Sequence, residues 1–101
     1  MSQVVVVVKM PLKPGTKQQA IEGFNVALKN VANEDGTVQY ILHENPANEN
    51  ELWVYELYAN QDAFQAHVGS DWFKAFVPDL FAVLDGNADM TFLTPLVGKG
   101  L

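Results

Sequence analysis

The chain has no cysteine and no arginine, and only two serines and two histidines among its 101 residues. Without cysteine there is no disulfide scaffold, no thiolate nucleophile and no Cys-ligated zinc or iron–sulfur site. Without arginine there is no bidentate clamp for phosphate or carboxylate groups. Twelve acidic side chains against six lysines make a surface that repels nucleic acid. Neither serine, Ser2 or Ser70, sits in a nucleophile elbow, and no Gly-rich phosphate loop or HExxH motif occurs. Two histidines separated by a strand and a turn make a weak metal case, and no metal is expected. The valine run after Met1-Ser2-Gln3 lacks a basic flank and a cleavage-type tail. It is also far short of the ~18 apolar residues of a membrane span, so a cytoplasmic protein is expected, with no nucleic-acid or membrane partner.

What is present is a half-hydrophobic chain without repeats or linkers, read as a single domain over residues 1–101. Val4 to Met10 is β-branched and apolar, a strand broken by Pro11, Pro14 and Gly15. Thr16 and Gln19 are spaced as a capping box. Ile21, Phe24, Leu28 and Val31 give Lys17 to Ala32 one apolar helical face, which Gly23 weakens by ~1 kcal/mol relative to alanine. After the Glu34-Asp35-Gly36 turn, Thr37–Glu44 and Glu51–Ala59 read as a hairpin around an Asn- and Pro-rich turn. Asn60 or Asp62 caps a short helix through Val68, and Ser70 caps the next, which Pro78 is expected to kink or divide. Met90 to Leu93 is a last strand. The order β-α-β-β-α(α)-β is the ferredoxin-like α+β pattern of an antiparallel sheet with helices on one face.

Such a sheet should alternate apolar and polar residues. These strands do not. By parity, the face away from the helices carries Ile41, His43, Trp53, Tyr55 and Leu57. In water this would be a contiguous apolar patch, and its aromatic enrichment suits an interface core, so a homodimer through this face is expected.

If Tyr40 pairs opposite Glu56, both share the inner face with Val38, Leu42, Leu52 and Val54. Burial would then raise the Glu56 pKa unless a cation or donor compensates, and His67 on the following helix is the nearest candidate. Glu56, His67 and Tyr40 with phenylalanine and tryptophan walls would form a general acid/base site for a planar aromatic ligand. The bland alternative is a satisfied structural histidine, a carboxylate at a strand end, and Trp72, Phe73, Phe76 and Phe81 as core. Glu49, Glu51, Asp62, Asp71, Asp85 and Asp89 read as a solvated acidic surface.

The segments Glu34-Asp35-Gly36-Thr37-Val38-Gln39-Tyr40, Leu52-Trp53-Val54-Tyr55-Glu56, Ala63-Phe64-Gln65-Ala66-His67 and Ser70-Asp71-Trp72-Phe73 together resemble the antibiotic biosynthesis monooxygenase family, over nearly the whole chain. The resemblance implies a dimeric α+β barrel with a pocket between sheet and helices. It implies oxygenation of a quinol-type or polyphenolic substrate by molecular oxygen without metal or flavin. His67 would act as base, oriented by Glu56, while Tyr40, Trp72, Phe73 and Phe76 hold the ring. Haem-degrading relatives carry a histidine where this chain reads Lys74-Ala75-Phe76-Val77, and an asparagine on the first strand, here unbroken valine. The resemblance thus disfavours haem degradation. Many relatives have histidine where this chain has Trp72. An isomerase or a non-catalytic small-molecule binder on the same fold is the alternative.

Overall fold

In the computed structural model, which describes residues 2–101, seven elements follow in the expected order. They are β1 (Val4–Pro11), α1 (Lys17–Val31), β2 (Thr37–Asn45), β3 (Asn48–Tyr58), α2 (Gln61–Val68), α3 (Asp71–Val83) and β4 (Asp89–Leu93). The sheet has strand order β2-β3-β1-β4 with every pair antiparallel. This is a ferredoxin-like α+β fold, and β2 and β4 are its edges.

The core lies between the helices and one sheet face. Val6, Val8 and Met10 of β1 and Leu52, Val54 and Tyr58 of β3 pack under Ala20 and Phe24 of α1 and Phe64 of α2. Phe24 meets Phe76 of α3 edge-on, with ring centroids 5.1 Å apart. Burying these large side chains supplies the main drive for folding, at roughly 1.5–3 kcal/mol for each one fully buried.

Local chemistry sets the helix boundaries, with differences from the sequence expectation. Asn60 caps α2 by accepting from the Ala63 N–H at 2.8 Å, and Ser70 caps α3 by accepting from the Phe73 N–H at 3.4 Å. Thr16 precedes α1 but forms no side-chain cap. Its hydroxyl instead donates to the Lys13 carbonyl at 2.7 Å, closing the turn behind it, so the capping box is absent. Pro78 does not divide α3, which continues beyond it to Val83.

The β2–β3 register pairs Tyr40 with Glu56, Ile41 with Tyr55 and His43 with Trp53. Val38 departs from its expected place. A bulge between Thr37 and Gln39 takes it out of the alternation and leaves it exposed. Leu57, expected on the open outer face, is only 6% exposed within the single chain, where its register neighbours are Val5 and Gln39. Ile41 stays 44% exposed on that face, beside half-buried Trp53 and Tyr55. Glu51 is not part of a solvated acidic surface. It is buried at the end of the hairpin, accepting from the Trp53 indole at 2.9 Å and from Asn45 and Asn48.

Candidate active site between sheet and helices

A cavity of about 310 Å³ lies between the inner sheet face and the helices. β1, β2 and β3 supply Val8, Met10, Tyr40, Val54 and Glu56 to its wall, and α2 and α3 supply Phe64, His67, Phe73 and Phe76. Phe81 and Met90 also border it and are themselves largely solvent-exposed, which places the mouth between the end of α3 and β4. The lining is apolar apart from Tyr40, Glu56 and His67, the pattern of a site that holds a flat apolar ligand by a few polar contacts.

His67 occupies the last turn of α2, where its carbonyl accepts from the Ser70 hydroxyl at 2.7 Å. The same serine caps α3, so one residue fixes the angle at which both helices present their rings. The imidazole is 2% exposed and ringed by aromatics: Phe73 at 5.0 Å, and Tyr40, Tyr58 and Trp72 each at 5.3 Å between centroids.

Its Nδ1 lies 2.8 Å from Oε1 of Glu34, in the turn between α1 and β2. Glu34 also accepts from the Thr37 hydroxyl at 2.8 Å through Oε1 and from the Trp72 indole N–H at 2.8 Å through Oε2. Partial burial pushes the Glu34 carboxyl up, but the hydrogen bonds from His67, Thr37 and Trp72 outweigh it. The net effect holds the group below the usual carboxylate range. Glu34 is thus ionised at neutral pH.

Glu56 does not orient His67. Its Oε1 accepts from the Tyr58 hydroxyl at 2.5 Å, two residues along the same strand face. Burial dominates its titration and raises it to about 7, partly opposed by the Tyr58 hydrogen bond and reinforced by the charge of Glu34. Burial likewise pushes the Tyr40 phenol up, with Glu56 and Glu34 adding to it, so Tyr40 stays neutral. The polar groups of the lining therefore lie close together, the imidazole beside the Tyr40 ring and the Glu56 carboxyl in the same wall.

The structure brings Tyr40, Glu56, His67, Phe73 and Phe76 around one cavity. Trp72 is placed differently. It lies edge-on to His67 but faces an outer groove with Glu34, Asn30, Asn33 and Thr37, and its polar atom is spent on Glu34. Glu34 and Tyr58 were not singled out by the sequence. Glu34 reads from sequence as turn composition, and its signals are a carboxylate just before the Gly36 turn and its place at the head of one segment that carries the family resemblance. Among the described residues no three His, Asp or Glu side chains converge where a cation could sit, and no helix is long and apolar enough to cross a membrane.

Fold and cavity together define a small ferredoxin-like α+β domain with a sheltered site under its helices. The sequence profile of the antibiotic biosynthesis monooxygenase family matches residues 3–79, and the chain belongs to this family, with the monooxygenase-like function that its name carries. Solved structures agree in fold. A protein from Caulobacter crescentus, described as a candidate antibiotic biosynthesis monooxygenase, superposes with a TM-score of 0.89 at 29% identity, covering 95% of this chain and 92% of its own. A protein from Mycobacterium tuberculosis gives 0.89 at 23% identity, covering 98% and 100%. A conserved protein from Methanosarcina mazei gives 0.87 at 24% identity, covering 92% of each chain. No curated protein matches.

Proposed function

We propose that the protein is a cofactor-independent monooxygenase of a small aromatic diol or quinol-type substrate, with molecular oxygen as the oxidant. The observation that carries this reading is His67. It is a buried imidazole held at Nδ1 by an ionised carboxylate, on the wall of an aromatic-lined cavity of about 310 Å³.

His67 takes the phenolic proton and becomes imidazolium. The electron-rich phenolate passes one electron to dioxygen, and the radical pair closes a C–O bond at a ring carbon bearing hydrogen. The imidazolium returns its proton to the distal peroxide oxygen. The hydroperoxide then loses water, leaving a carbonyl. One oxygen atom ends in the product and the other in water, and no net proton is released. The Phe73 and Phe76 rings and Tyr40 hold the substrate plane, and Glu56, held by the Tyr58 hydroxyl, meets its second oxygen. Exclusion of water protects the peroxide and strengthens the charge interactions.

The working unit is proposed to be a homodimer through the outer face, where Ile41, His43, Trp53 and Tyr55 lie together. Closed two-fold assembly is the commonest cover for such a face.

Oxygen uptake with reduced quinones or polyphenols in metal-free buffer tests the activity. His67→Ala is expected to lose it, by ~10²-fold or more, while keeping its circular dichroism. A fully active variant would remove His67 from the reaction. Turnover under strict anaerobiosis would point instead to an isomerase, and saturable binding without turnover to a carrier.

A further inference from the structure

A neutral imidazole carries its proton on one nitrogen only, and a base must present the other. The Glu34 carboxylate is acceptor-only, so the contact at 2.8 Å requires the His67 proton to be on Nδ1. The ring's two nitrogens point to nearly opposite sides. With Nδ1 turned toward the outer groove that Glu34 borders, Nε2 is left on the cavity side as an acceptor. Among the described residues Nε2 has no hydrogen-bond partner.

The carboxylate is also fixed in place. Its three donors come from three elements: Thr37 at the start of β2, His67 on α2 and Trp72 on α3. The indole N–H can only donate, so Trp72 serves only while Glu34 presents an oxygen to it. The turn itself is pinned at both ends, by the Glu34 N–H on the Val31 carbonyl at 2.9 Å and the Ala59 N–H on the Gly36 carbonyl at 2.9 Å.

We propose that Glu34 is the positioning residue of the site: it fixes the His67 tautomer that turns Nε2 toward the substrate, and it balances the imidazolium while the abstracted proton waits to be returned. Trp72 and Thr37 act one step further out, by holding the carboxylate still. The catalytic half of this inference rests on the oxygenase reading above. The tautomer half does not.

The test uses the intact chain labelled with ¹⁵N-histidine. His43, on the outer face, is the internal reference for the second imidazole. Wild-type His67 is expected to show a protonated Nδ1 and an unprotonated Nε2. Glu34→Gln keeps a carbonyl acceptor but removes the charge and sets an amide against the Trp72 indole. It is expected to shift His67 toward the Nε2–H form and to lower kcat by at least ~10-fold with KM little changed, short of the roughly 10⁴-fold lost when a buried triad carboxylate is neutralised. Trp72→Phe, which leaves the His67–Glu34 contact in place, is expected to cost less in kcat than Glu34→Gln. An Nε2–H tautomer in the wild type would overturn the proposal, as would a Glu34→Gln spectrum and kcat equal to wild type. If Glu34→Gln does not fold, the wild-type tautomer and the Trp72→Phe spectrum decide the question. If no diol supports oxygen uptake, the oxygenase reading falls, and the spectra still judge the role of Glu34.

Discussion

At the residue scale, two carboxylates a few ångströms from the same cavity are pushed in opposite directions. Glu34 has three donors and is held low. Glu56 has one donor against heavy burial and is raised from 4.5 to about 7. Between those two values of Glu56 the folded chain keeps a proton that the unfolded chain has released. Stability therefore falls as pH rises from about 4.5 to 7 and levels off above. The difference corresponds to about 3 kcal/mol. Glu34 has the opposite sign: its contribution is present above its ordinary value of 4.5 and is lost as pH falls below it. Thermal melts from pH 5 to 8 should show the decline in wild type. In Glu56→Gln, which still accepts the Tyr58 hydroxyl, the decline should vanish and the variant should be the more stable protein at pH 8. An unchanged slope would mean that another group carries it. The sequence left the pairing of Tyr40 with Glu56 conditional on the hairpin register, because a slip of one residue would separate their faces, and the strands adopt the register that joins them. The His67 partner was not legible, because Glu34 reaches it only by a tertiary approach across 33 positions of sequence.

At the scale of elements, that approach depends on a glycine. A Cβ on Gly36 would stand 2.5 Å from the Cβ of Ala63, so α2 sits on the turn as closely as backbone allows. Gly36→Ala should push the turn from α2, loosen the Glu34–His67 contact and cost roughly 1–3 kcal/mol. Gly23 is the converse. An added Cβ there meets only a Phe76 ring carbon at 3.5 Å, an ordinary contact, so Gly23→Ala should stabilise α1 by ~1 kcal/mol. Denaturant melts of the two variants should move to opposite sides of wild type. Helix placement followed from apolar spacing and the cap at Ser70 from residue type, while residue type left Asn60 and Asp62 both open and the structure selects Asn60. The details that failed were set by neighbours. The Thr16 hydroxyl found the Lys13 carbonyl, and Val38 was displaced by a bulge that alternation does not encode.

At the scale of the whole molecule, strand order and the inner face were readable because both follow from the sequence of elements and from period-two patterning. The outer face, with Ile41 exposed beside Trp53 and Tyr55, is the one proposed to pair with a second copy. Ile41→Glu or Trp53→Glu would set a charge into that face. Light scattering coupled to gel filtration is expected to give twice the chain mass for wild type and a mass shifted toward the single chain for either variant. A wild-type mass of one chain would remove the proposed assembly.

The hollow beneath the helices has one more consequence. Between the inner sheet face and the helices a cavity of about 310 Å³ stays open. A guest of matching shape would do for the fold what a missing core residue would have done, and at a hundredfold excess over its dissociation constant it would add roughly 2.7 kcal/mol of stability. Heating the protein with a panel of flat phenols, and ranking them by the rise in melting temperature, would reveal the preferred compound before any reaction is seen.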